Sequence, residues 1–366
     1  MTLSLWKKVA NNIVKAGLIP FPITDTLLEF LKAKLTEDQA KFLLIFKKPS
    51  LNLEQIKQRT VLSEDEILQM LDALMKNGII SGTRSRSTGV MVYSLMPLFP
   101  GMIEFSLMRG EMNEKERHLA KLIEKMFKEL REGTQRNYDH LMPQFKELPP
   151  PARVIPVEEN VEVGQEMVLL AEDASTLIDH YEHIAVTHCY CKQQKDLIND
   201  PCKVTDKREI CLIFNKPAQF AIEHGFARPI SKDDAKRILK EAEDAGLVHK
   251  VFHSKLDFTR DIDGICSCCK CCCGIFRLFY EGVWPLHTVS SYIAKPNHAD
   301  CIGCGTCVEK CPMEAIYLEN DLAEIDETRC IGCGVCAHLC PQNAMKIERI
   351  GPREIFVLPP RLNQQA

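Results

Sequence analysis

The chain has 366 residues, 45% of them hydrophobic and 26% charged, with a formal net charge of -4. That length supports several domains with full cores, and the composition excludes collagen-like, disordered and disulfide-stapled mini-protein architectures. The near-neutral charge gives no global pull toward nucleic acid or an anionic membrane.

No apolar run reaches the roughly 18 residues of a spanning helix. The start MTLSLWKKVANNIVKAGLIPF lacks the layout of a secretion signal, so a cytoplasmic protein is expected. In a reducing compartment clustered cysteines are metal ligands more often than disulfides. All 18 cysteines lie from residue 189 onward, which sets a metal-rich second half against a cysteine-free first half. Pro149-Pro150-Pro151 marks a seam, because consecutive prolines fix φ and favour an extended spacer. The expected organisation is α+β and multidomain: 1–150, a cysteine-rich α/β middle at 151–290, and a tail at 291–366.

In the first part Glu37–Lys47 has helical spacing with Phe42, Leu43 and Phe46 available for burial, and Leu53–Arg59 suits a short second helix. Ser63 with Glu66 three residues on forms a capping box for a third, whose Ile67, Leu71 and Leu74 share a face and which Asn77-Gly78 ends. Strand candidates Ile79–Thr83 and Val90–Ser94 flank a polar turn carrying Arg84, Arg86 and Gly89. Three helices followed by a hairpin resemble a winged helix-turn-helix. DNA reading requires cations and donors at the duplex, whereas the would-be reading helix opens with Glu64-Asp65-Glu66. That charge argues for a docking or structural role and against nucleic acid. Glu111–Arg131 reads as a charged amphipathic connector helix.

In the middle, Ala174–His183 suits a helix leading into a strand at Ile184–Thr187, and Ser231 caps a helix that runs to Ala245 and ends at Gly246. Around these elements stand Cys189, Cys191, Cys202 and Cys211, then a dense run of Cys266, Cys268, Cys269, Cys271, Cys272 and Cys273. Neighbouring side chains on a regular element diverge, so this run cannot all face one ion and is expected to serve two sites or leave some thiols as packing. Iron–sulfur clusters, zinc and free thiols are the three readings. The candidate ligands are Cys189, Cys191, Cys202, Cys211, Cys268, Cys269, Cys271, Cys272 and Cys273, with Cys266 left aside.

In the tail, Cys301-Ile-Gly-Cys304-Gly-Thr-Cys307-Val-Glu-Lys-Cys311-Pro312 recurs 29 residues later as Cys330-Ile-Gly-Cys333-Gly-Val-Cys336-Ala-His-Leu-Cys340-Pro341. Both read C-x2-C-x2-C-x3-C-P, a spacing that lets one loop wrap a compact cage, with Gly303, Gly305, Gly332 and Gly334 allowing the tight turns. Structural zinc accepts four thiolates too, but its sites are usually built from paired C-x2-C knuckles.

The tail resembles bacterial two-cluster ferredoxins, and the whole cysteine pattern resembles multicluster iron–sulfur proteins of anaerobes that end in such a domain. The resemblance implies two [4Fe-4S] clusters. One is held by Cys301, Cys304, Cys307 and Cys340, the other by Cys330, Cys333, Cys336 and Cys311, because the Cys before Pro serves the other cluster. It also implies one or two further [4Fe-4S] clusters in the middle. The expected function is an electron-transfer subunit relaying single electrons between partners such as a flavoprotein, a dehydrogenase or a reductase subunit, with no catalytic residue of its own. The alternatives are a redox-sensing winged-helix regulator, or a redox enzyme subunit whose middle cluster binds substrate.

Overall fold

The computed structural model describes residues 2–17, 19, 21–85, 87–157, 173–253 and 262–362; Arg86 lies outside them. The chain forms two compact units, and the first comprises residues 1–130, 190–201 and 216–228. Its helices start where the sequence supplies reciprocal caps: Thr36 with Gln39 opens Glu37–Leu43, Asn52 with Gln55 opens Leu53–Lys57, and Ser63 with Glu66 opens Glu64–Lys76. Ile67, Leu71 and Leu74 are buried on the last of these, as the i, i+4, i+7 spacing requires. Strand Met91–Leu95 lies between Ser50–Asn52 and Ile80–Arg84 in an antiparallel three-stranded sheet.

Helix Asp25–Lys34 of this unit ends on a buried lysine whose ammonium donates to Ser106 Oγ at 2.9 Å. Burial, aided by the nearby cations Lys115 and Arg109, brings Lys34 down to a pKa of about 7. The unfolded chain therefore holds more protons than the folded one between pH 7 and the ordinary lysine value, so stability rises with pH across that window. Lys34→Met keeps the volume and removes the buried charge. It is expected to stabilise the protein by about 2 kcal/mol at pH 7 and by little at pH 10. Thermal melts at the two pH values check this; an equal gain at both would contradict the burial argument.

The second unit comprises residues 131–189, 202–215 and 229–366 and is built on an eight-stranded sheet. From one edge the strands run Met345–Val357, Leu286–Pro296, Ala152–Ile155, Val248–His253, Ile262–Cys268, Glu209–Phe214 and Ile184–His188, and Arg228–Pro229 closes the other edge. The described ladders are antiparallel except the pair of Leu286–Pro296 with Ala152–Ile155. Helix Lys232–Asp244, capped by Ser231 and ended at Gly246 with φ +77, packs against helix Ala174–His180 and the short helix Val335–His338. The tail thus joins the middle through one core: Val154, Val248, Cys268 and Phe276 cluster with Met313, Ile331, Val335 and Ile347. Among the described residues no helix is long and apolar enough to cross a membrane.

Candidate metal centres

Each tail motif forms a loop followed by a short helix, Thr306–Lys310 in the first and Val335–His338 in the second. Gly303, Gly305, Gly332 and Gly334 all take φ between +61 and +76, the left-handed backbone the tight turns need. At two of them glycine is also required by contact. A Cβ on Gly303 would collide with the Asp321 carbonyl oxygen, and one on Gly332 with the carbonyl oxygen of Tyr292.

The structure brings Cys301, Cys304, Cys307 and Cys340 together as the lining of one cavity, with Gly303, Gly305 and Pro341. Three come from the first motif and the fourth from the second. In the other direction Cys311 of the first motif lies close enough to Cys333 and Cys336 for its charge to act on both, as does that of Cys330. The first set lines one cavity. The second is a neighbourhood of Cys330, Cys333, Cys336 and Cys311 that Cys307 of the first set also reaches electrostatically. The carbonyls of Asp321 and Tyr292 leave no room for side chains at Gly303 and Gly332.

The two sets differ in exposure. Cys304 is exposed and Cys301, Cys307 and Cys340 are half-buried, whereas Cys330, Cys333 and Cys336 are buried. Burial therefore pushes the Cys333 thiol up to about 12 and raises Cys336 well above the usual thiol range, while the Thr306 hydroxyl, 3.5 Å from its sulfur, holds Cys304 low. Buried thiols that resist ionisation in isolation are suited to a metal that supplies the compensating charge. The Ala315 amide donates to Cys311 Sγ at 3.3 Å, a bond that favours the thiolate.

Side chains brace both loops. Arg353 donates to the carbonyl of Cys330, and Val157 N donates to Cys333 O at 3.2 Å. His338 Nε2 lies 3.0 Å from Asp244 Oδ1 at the end of helix Lys232–Asp244. The turn at Cys311-Pro312 is held by Tyr280, whose hydroxyl donates to Pro312 O at 2.7 Å, and by Arg329, which donates twice to Met313 O at 3.0 and 2.8 Å.

The cysteines of the middle fall into two groups. Cys202, Cys269, Cys271 and Cys272 converge so that their four sulfurs all lie within 4.8 Å of one another. Four of the six separations are 3.7 Å for Cys202–Cys269, 3.8 Å for Cys202–Cys271, 3.5 Å for Cys269–Cys271 and 3.6 Å for Cys271–Cys272. Three of these thiols belong to the turn between strand Ile262–Cys268 and helix Gly274–Tyr280. At such distances two thiolates repel by roughly 4 kcal/mol at an effective dielectric constant of about 20, so the group holds protons or a cation. Hydrogen bonding to Cys202 opposes ionisation of Cys271 and bonding to Cys269 and Cys272 favours it, leaving Cys271 at about 6 while Cys272 is pushed far up.

The second group is looser and sits on the sheet. Cys211 hydrogen-bonds Cys189 and Cys266, and Cys268 hydrogen-bonds Cys273; these contacts and burial raise both Cys211 and Cys268 well above the usual thiol range. Sheet register explains the meeting. Leu212 pairs with Ile265, which sets Cys211 opposite Cys266, and Cys266 pairs with Lys250 on the next strand. Lys250 is buried, its ammonium 3.7 Å from the Phe276 ring centre, and its positive charge acts on Cys268. Cys266, which is not among the candidate ligands expected from the sequence, belongs to this group. Its signal was the spacing of two from Cys268, which puts both on one face of a strand. Cys191 is carried by helix Tyr190–Leu197 in the first unit.

Residues 300–344 match the family of 4Fe-4S dicluster domains, a segment that spans both motifs. With its ferredoxin-type tail and its other thiol groups, the chain is an iron–sulfur protein. Its tail is of the kind that binds [4Fe-4S] clusters and takes part in electron transfer. No curated protein and no solved structure matches the chain.

Proposed function

We propose that this chain is an electron-transfer subunit that relays single electrons between redox partner proteins. Two [4Fe-4S] clusters in the tail carry the current, one on Cys301, Cys304, Cys307 and Cys340, the other on Cys330, Cys333, Cys336 and Cys311. Such clusters supply one-electron oxidation and reduction without making or breaking substrate bonds. The observation that carries the reading is the pairing of a partly exposed cysteine set with one in which three of the four cysteines are buried, inside a matched dicluster segment.

The chain's own residues give that pair a direction. Ile302 beside the outer set is 64% exposed, and Tyr317 and Leu318 are 50% and 40% exposed, an apolar surface suited to a partner's docking. Arg353 and the Val157 amide fix the inner loop beside the sheet and His338 ties it to helix Lys232–Asp244, so little must reorganise when its charge changes. Beyond it, the looser group of Cys189, Cys211, Cys266, Cys268 and Cys273 supports a further [4Fe-4S] centre, with buried Lys250 offsetting its negative charge. The winged-helix-like module of the first unit serves docking. Its helix Glu64–Lys76 begins with three carboxylates, of which Glu66 is committed to the cap.

Anaerobic protein reduced with dithionite and then mixed with a one-electron viologen oxidant tests the proposal. The expected result is reversible bleaching and recovery of cluster absorbance, with about twelve iron and twelve acid-labile sulfide per chain, eight of each from the tail. Clusters that cannot be cycled without loss of iron would end the relay reading.

A further inference from the structure

We propose that Cys202, Cys269, Cys271 and Cys272 form a separate site for a single tetrahedrally coordinated metal ion, zinc. The argument is geometric. Four sulfurs bound at about 2.3 Å to one tetrahedral ion stand about 3.8 Å apart along each edge. Four of the six edges are 3.5, 3.6, 3.7 and 3.8 Å, and the remaining two, Cys202–Cys272 and Cys269–Cys272, lie within 4.8 Å. In a cubane each thiolate binds a different iron and points outward from the cage, so its sulfurs stand wider apart than those sharing one ion. The tail shows that contrast within the same molecule: its eight cysteines form no group with sulfurs mutually within 4.8 Å, among the described residues.

The origin of the ligands points the same way. Adjacent Cys271 and Cys272 both face the centre because they occupy a turn, where the divergence of neighbours on a strand or helix is lifted. Cys202 arrives from a distant loop and closes the fourth corner, so the ion ties that loop to the turn that starts helix Gly274–Tyr280. Four thiolates complete the coordination sphere and leave no open position, the mark of a structural site. Zinc is preferred to a lone iron(II) in an equal donor set, and its filled d shell tolerates the slightly unequal edges. The site does not depend on the relay reading of the tail.

The full-length chain, made anaerobically with iron in excess, is assayed for zinc, iron and acid-labile sulfide beside Cys202→Ala and Cys304→Ala. The expected result is about one zinc per chain, reduced at least fivefold in Cys202→Ala and unchanged in Cys304→Ala, with iron and sulfide untouched by Cys202→Ala. Loss of about four iron and four sulfide from Cys202→Ala would overturn the proposal in favour of a cubane. One iron lost without sulfide would overturn the choice of zinc. If Cys202→Ala does not fold, zinc-edge X-ray absorption of the unaltered protein decides. A shell of four sulfurs near 2.3 Å upholds the site, and zinc-free protein or a mixed nitrogen and oxygen shell refutes it.

Discussion

Cys340→Ala is expected to remove about four of the eight tail irons and to leave the buried cluster, whereas Cys311→Ala removes a similar number and leaves the exposed one. The expectation follows from the crossed convergence of thiols. Cys340 lines the cavity of Cys301, Cys304 and Cys307, although it belongs to the other repeat. Cys311 instead acts on Cys333 and Cys336. Iron content alone does not separate this from an uncrossed arrangement, since either variant would lose one cluster. The exposures do. Cys304 is exposed and the loop around it is open to solvent, while Cys330, Cys333 and Cys336 are buried. The residual iron of Cys340→Ala should therefore pass slowly to an added iron chelator, and that of Cys311→Ala at least tenfold faster. The reverse order of rates would show that each repeat binds its own four-cysteine cage.

That crossing was legible in the sequence only through the resemblance of the repeats to two-cluster ferredoxins. The motifs fix three ligands per loop by spacing, and no local rule says where the fourth comes from. Helix starts were legible for a local reason: Ser63 with Glu66, and Ser231 before its helix, satisfy backbone donors within three residues. The middle was less so, because its thiols are assembled by pairings far apart in the chain. Nothing near Cys211 shows that strand Glu209–Phe214 lies beside Ile262–Cys268, which is what puts Cys211 opposite Cys266. The dense run divides because it crosses from strand to turn to helix. Cys266, Cys268 and Cys273 go to the sheet group, and Cys269, Cys271 and Cys272 to the tight one.

Gly332→Ala is expected to cost the protein about 3 kcal/mol and most of the tail iron, while Gly305→Ala costs about 1 kcal/mol and keeps both clusters. The two glycines occupy equivalent backbone conformations, φ +61 and φ +75, so the strain of placing alanine there is common to both. They differ in surroundings. A Cβ at Gly305 meets nothing within 4 Å, whereas one at Gly332 collides with Tyr292 O, in the buried strand Leu286–Pro296. Tyr292 is paired with Arg349 of the neighbouring strand, and backbone held in a ladder cannot yield as a side chain would. Relief must come from the loop, which would draw Cys330 and Cys333 away from Cys311 and loosen the hold of Arg353 on Cys330 O. Because Cys340 follows in the same motif, its displacement would also weaken the first set. Denaturant unfolding and iron content of the two variants measure the difference. Equal losses would mean that backbone conformation alone, and not the close approach of the loop to the sheet, selects glycine at these positions.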